Sequence, residues 1–96
     1  MKKAYSKDRS SCRVTFELPA EIQATKVALC GDFNDWDKTR NMLTKRKDGR
    51  LSITLTLSSG TYRYRFLLDG HIWENDWNAE QYAPNDFGTE DSIVVI

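Results

Sequence analysis

The 96-residue chain lacks most of the features that assign a function quickly. It carries no net charge, because 14 basic residues balance 14 acidic ones. Domains that grip nucleic acid by its phosphates show a basic footprint, so this balance removes the simplest argument for such a partner. Histidine occurs once, as His71, and cysteine twice, as Cys12 and Cys30. There is no Cys-x-x-Cys pair and no partner motif for the histidine, so no metal site is expected. Both cysteines stand in apolar, strand-like contexts. They are expected as reduced, buried thiols that pack like small hydrophobes. A disulfide between adjacent strands is the alternative, and it would conflict with a reducing compartment. No apolar run approaches the roughly 18 residues that span a membrane. Met1-Lys2-Lys3 is not followed by the apolar segment of a secretory signal, and a cytoplasmic location is the expectation.

Catalytic signatures are missing too. There is no Gly-x-Ser-x-Gly elbow, no phosphate loop and no recognisable Cys/His pairing. The acidic residues could supply a carboxylate pair of the kind glycosidases use. Asp32, Asp35, Asp37, Asp48 and Asp69, however, sit where turns are expected and do ordinary turn work there. Neither an enzyme nor a cofactor is expected.

What the chain does have is strand after strand. Residues 1–10 are polar and without periodicity, and read as a loose tail or a weak edge. Cys12–Leu18 alternates apolar and polar and stops at Pro19. Ala24–Cys30 is largely apolar and reads as a central strand. Asn41–Lys47 is ambiguous, anchored by Met42 and Leu43, and Asp48-Gly49 then marks a tight hairpin. Leu51–Leu57 alternates over seven residues with its leucines and Ile53 inward. Thr61–Leu68 puts Tyr62, Tyr64, Phe66 and Leu68 on one face and Arg63, Arg65 and Leu67 on the other. Residues 71–90 read as irregular, and Ser92–Ile96 as a short closing strand. No stretch of ten residues shows a helical period. Short strands at regular spacing predict one all-β sandwich of about seven to eight strands over residues 11–96.

Two aromatic clusters interrupt this pattern. Gly31-Asp32-Phe33-Asn34-Asp35-Trp36 holds a tryptophan among polar turn residues, and Trp73 follows the Asp69-Gly70 turn. Exposing a large apolar side chain forgoes about 1.5–3 kcal/mol of burial. Trp36 and Trp73 are therefore expected as an open platform, and Trp77 as core. A flat indole stacks on the apolar face of a pyranose while neighbouring polar groups take the hydroxyls.

With Tyr62-Arg63-Tyr64-Arg65-Phe66-Leu67-Leu68-Asp69-Gly70 and Phe87-Gly88-Thr89 added, the order of motifs resembles the family 48 carbohydrate-binding modules from about residue 24 to 96. That family includes the glycogen-binding domain of the AMP-activated protein kinase β subunit. It also includes the early-set N-terminal domains of isoamylases and glycogen branching enzymes. The resemblance implies an immunoglobulin-like early-set sandwich that binds α-1,4-glucans without catalysis, two tryptophans sandwiching the sugar. Carried over residue by residue, it assigns Trp36 and Trp73 as the two tryptophans, with one additional residue after Asp69-Gly70. Arg65 replaces a lysine, which keeps the charge but not the geometry. Phe87 replaces a leucine, and Thr89 matches a threonine. Asp91 replaces an asparagine, so it accepts from hydroxyls but does not donate when ionised. The alternative is a protein-interaction or scaffold module of the same fold that has lost the sugar.

Overall fold

The computed structural model describes residues 1–96 and consists of nine strands with a single 3-10 turn. The strands are β1 (Lys2–Tyr5), β2 (Ser11–Leu18), β3 (Val27–Gly31), β4 (Thr44–Lys45), β5 (Leu51–Ser58), β6 (Thr61–Leu68), β7 (Ile72–Glu74), β8 (Gln81–Pro84) and β9 (Glu90–Val95). They form two antiparallel sheets, β1-β2-β5-β4 and β3-β6-β9-β8, with β7 added beside the second half of β6. No helix is long and apolar enough to cross a membrane.

The core between the sheets is the meeting of the alternating faces. Cys12, Val14, Phe16 and Leu18 of β2 face Tyr64, Phe66 and Leu68 of β6, with Val27, Leu29, Leu51, Leu57 and Val94 around them. Phe16 meets the Tyr64 ring edge-on at 5.0 Å between centroids. Edge-to-face packing of this kind adds about 0.5–1.5 kcal/mol to the area buried.

Two expectations need correction, and one alternative is decided. Of the two readings of the N-terminal residues, Lys2–Tyr5 take the edge rather than the tail: they pair with β2 as an edge strand, Lys3 opposite Val14. Lys3 Nζ also donates to Glu80 Oε2 at 2.6 Å and to the carbonyl of Val95 at 2.9 Å, which ties the edge to the other sheet. The apolar strand β3 is not central but lies at the edge of its sheet. Its outer rim is covered because Leu29 N–H donates to Asn41 O and Leu43 N–H donates to Val27 O. Its two faces are buried separately, Val27 and Leu29 in the main core, Ala28 and Cys30 in a small outer cluster with Leu67. Finally, the segment 71–90 contains two strands, β7 and β8, both short. Cys12 and Cys30 are free and buried. They belong to different clusters on opposite faces of the second sheet and do not pair.

Tyr64 is fully buried, and its hydroxyl donates to Asp76 Oδ2 at 2.8 Å. Burial, then the neighbouring carboxylate, pushes the phenol well above its ordinary value of 10.0. The folded form therefore holds its proton while the unfolded chain releases it, so this contribution is complete below pH 10 and is lost as pH rises beyond it. Melting scans from about pH 8 to 11 should show a steep fall in Tm above about pH 10, and a shallower fall in Tyr64→Phe.

Candidate functional site

The outward face of β6 and β7, the turn after β3 and the loop between β8 and β9 enclose an open groove of about 840 Å³. All six residues marked in the sequence line it: Trp36, Arg65, Trp73, Phe87, Thr89 and Asp91.

Trp36 is carried by the turn that ends β3. Asn34 is buried and organises that turn, accepting from Gly31 N–H at 3.0 Å and donating to Leu29 O and Asn41 Oδ1, both at 2.8 Å. Asp35 and Trp36 then both adopt left-handed backbone, φ 56° and 57°. Left-handed conformation costs a non-glycine residue roughly 1–2 kcal/mol, and strain of this kind concentrates at binding sites. Phe33 turns inward against Phe16 and Tyr64. Trp36 turns outward, and its indole N–H donates to Asp32 Oδ1 at 3.1 Å.

Gly31 makes the turn possible by close approach rather than by dihedral freedom. A Cβ there would lie 2.6 Å from Arg63 O and 2.8 Å from Tyr64 Cβ. The first is backbone and the second is fixed in the core, so neither yields. Gly31→Ala should cost about 1–3 kcal/mol, read as a drop of roughly 5–20 °C in Tm.

Trp73 reaches the groove through the register of β7 on β6 after the Asp69-Gly70 turn. Leu68 pairs with Ile72, so Trp73 stands opposite Leu67 on the outward face. Both indoles are half-buried, resting on the small cluster of Ala28, Cys30 and Leu67. Their centroids are 6.2 Å apart with planes at 66°. A sugar between two facing rings needs about 7–8 Å, two van der Waals contacts. The two indoles do not face each other as parallel plates but meet as a corner, two adjoining walls of the groove. Trp77, expected in the core, is instead 57% exposed and outside the groove, its indole N–H bonded to Glu74 Oε1.

The Arg65 guanidinium lies 5.5 Å from the Trp73 ring centroid, and its buried Nε has no hydrogen-bond partner. Phe87 is 88% exposed at the tip of the β8–β9 loop. Thr89 is exposed and bonded to Asn85, its hydroxyl accepting from Nδ2 at 2.8 Å and donating to Oδ1 at 3.0 Å. Asp91 differs from its expected role. It is 6% exposed, and its two oxygens are taken by Arg63 Nη1 at 3.2 Å and Asn85 Nδ2 at 3.0 Å. Its carboxylate is committed inside the protein and holds the loop rather than offering itself to solvent.

Sequence reasoning missed Asp32, Arg63 and Asn85 as groove residues. For Asn85 a signal existed. An asparagine two residues before Phe87-Gly88 is a turn former that bonds the backbone ahead of it, and Asn85 Oδ1 accepts from Phe87 N–H at 3.0 Å.

The family model described as the glycogen recognition site of AMP-activated protein kinase matches residues 13–96. The chain is 34% identical over 71 residues to the 5'-AMP-activated protein kinase subunit beta-1 of Sus scrofa, which covers 74% of this chain and 54% of that protein. It is 31% identical over 75 residues to Protein PTST homolog 2, chloroplastic, of Arabidopsis thaliana, covering 76% of this chain and 13% of that one. It is 38% identical over 53 residues to Protein FLOURY ENDOSPERM 6, chloroplastic, of Oryza sativa subsp. japonica, covering 55% and 10%. The chain therefore spans only 10% to 54% of the length of these relatives.

Proposed function

The chain belongs to the family described as the glycogen recognition site of AMP-activated protein kinase, a non-catalytic carbohydrate-binding module, and from that premise we propose that its groove binds α-1,4-linked glucans by stacking sugar rings on Trp36 and Trp73. The observation that carries the reading is the corner made by the two indoles, 6.2 Å apart, with open groove in front of them. One ring of a curved glucan chain lies on each wall. Arg65, beside Trp73, supplies N–H donors for the hydroxyls, and exposed Phe87 meets the chain from the opposite loop. Asp91 acts by holding that loop.

The site is open, and few of its polar groups are desolvated. Stacking plus a handful of hydrogen bonds supports about −4 to −7 kcal/mol, a Kd of roughly 10 μM to 1 mM. Isothermal titration with maltoheptaose and β-cyclodextrin tests this. Saturable heat in that range is the expected result. No heat from either sugar up to several millimolar would overturn it and favour a module that binds protein instead.

A further inference from the structure

Arg63 stands outside the residues that the sequence marks for sugar, yet the two walls of the groove meet on it. On one side Asp32 Oδ1 accepts from the Trp36 indole at 3.1 Å, and Asp32 Oδ2 accepts from the backbone N–H of Arg63 at 2.8 Å. On the other side Arg63 Nη1 donates to Asp91 Oδ2 at 3.2 Å and to Pro84 O at 3.1 Å. Asp91 Oδ1 accepts from Asn85 Nδ2 at 3.0 Å. Asn85 Oδ1 accepts in turn from the N–H groups of Phe87 and Thr89 at 3.0 and 3.2 Å. Hydrogen bonds thus run from the Trp36 indole through Asp32 to the Arg63 backbone, and from the Arg63 guanidinium through Asp91 and Asn85 to the loop that carries Phe87, with the Arg63 side chain itself joining the two halves.

We propose that Arg63 is a positioning residue that couples the two walls, so that the Trp36 indole and the 85–89 loop are set together. It touches no sugar. Its backbone is fixed in the middle of β6 by pairing with β9. Its side chain reaches a carboxylate that is only 8% exposed, so the Asp91 end of the pair is shielded from water although the guanidinium is partly open to it. A carboxylate accepts at each end, Asp32 from the Arg63 backbone N–H and Asp91 from the guanidinium, and hydrogen bonds to an ionised partner are the stronger kind. The alternative is that each wall holds itself, Trp36 on its small cluster and the loop on its own Asn85 turn. The two arrangements differ in additivity.

The binding arm of the test rests on the glucan reading above. Asp32→Asn, Asn85→Ala and Arg63→Gln are each expected to weaken maltoheptaose binding about tenfold. Coupling means that Asp32→Asn/Asn85→Ala loses about 10–20-fold, not the product of about 100-fold. Arg63→Lys, which keeps the charge but one bond fewer, should fall between wild type and Arg63→Gln. A second arm needs no sugar. In proton–nitrogen NMR spectra, the Trp36 indole N–H resonance should move in Asn85→Ala and in Arg63→Gln, while that of Trp77 stays. The side chain of Arg63 is 41% exposed, so Arg63→Gln should keep the fold. Losses that multiply, or a Trp36 resonance unmoved in both variants, would overturn the coupling. If wild type binds no sugar, the functional reading fails while the NMR arm still decides this one.

Discussion

Replacing Trp36 by alanine should remove measurable glucan binding while leaving a folded domain. The indole is half-buried, with its inner edge on Ala28, Cys30 and Leu67 and its outer face in the groove. Losing the stacked face forfeits about 2–3 kcal/mol of apolar burial on the sugar. That is a loss of roughly 30–150-fold, enough to push a weak site beyond titration. The cost to the fold is smaller, about 1–2 kcal/mol, because only part of the side chain is buried. Trp73→Ala should behave in the same way, since the two indoles support each other at the corner. Trp77→Ala serves as the control, with binding unchanged. Titration calorimetry and thermal melting on the three variants separate the two effects. Binding that survives Trp36→Ala would remove that residue from the site.

Asn34→Ala should be among the most damaging single changes to stability. Its side chain bonds three groups at once: the N–H of Gly31, the carbonyl of Leu29 and the side-chain oxygen of Asn41. The residue is 4% exposed, so water does not replace it. Unsatisfied buried groups cost about 1–3 kcal/mol each, and some will relax. A net loss of about 2–4 kcal/mol is expected, a drop of roughly 10–25 °C in Tm for a domain of this size. Asn34→Asp is the sharper variant. It is isosteric, but a carboxylate cannot donate to Leu29 O or Asn41 Oδ1. It should lose about as much, measured by circular dichroism melting. A melting temperature within 3 °C of wild type for both variants would show that the turn is held by something else.

The fold was legible wherever a strand has one face in the core. The alternation of 12–18 and 51–57 marks β2 and β5 closely, because each shows its polar residues to solvent. The apolar run of β3 misled in one respect. It reports that both faces are buried, and they are, but not where the strand sits in the sheet. The chain segment 41–43 closes that edge, which no local pattern announces. β7 and β8 escaped notice because three or four residues at a rim, one of them Pro84, carry no period to read. In the groove, an indole among polar turn residues is conspicuous in sequence, and Trp36 and Trp73 were found that way. Asp32, Arg63 and Asn85 were not, because they work through bonds to distant segments. Asp32 reaches Arg63 across 31 positions, and Arg63 reaches Asp91 across 28. Asp91 by its position in the sequence suggests a sugar contact, but Arg63, supplied by a segment distant in the chain, and Asn85 bond its carboxylate in the fold.

The chain carries three tryptophans, two in the groove and one outside it, so one spectrum contains both the test and its control. Proton–nitrogen NMR of the indole N–H resonances during titration with maltoheptaose asks the question most directly. The expected result is that Trp36 and Trp73 shift together along one saturation curve while Trp77 stays in place. Three resonances that remain still at several millimolar sugar, or a shift confined to Trp77, would contradict a glucan site built on the Trp36–Trp73 corner.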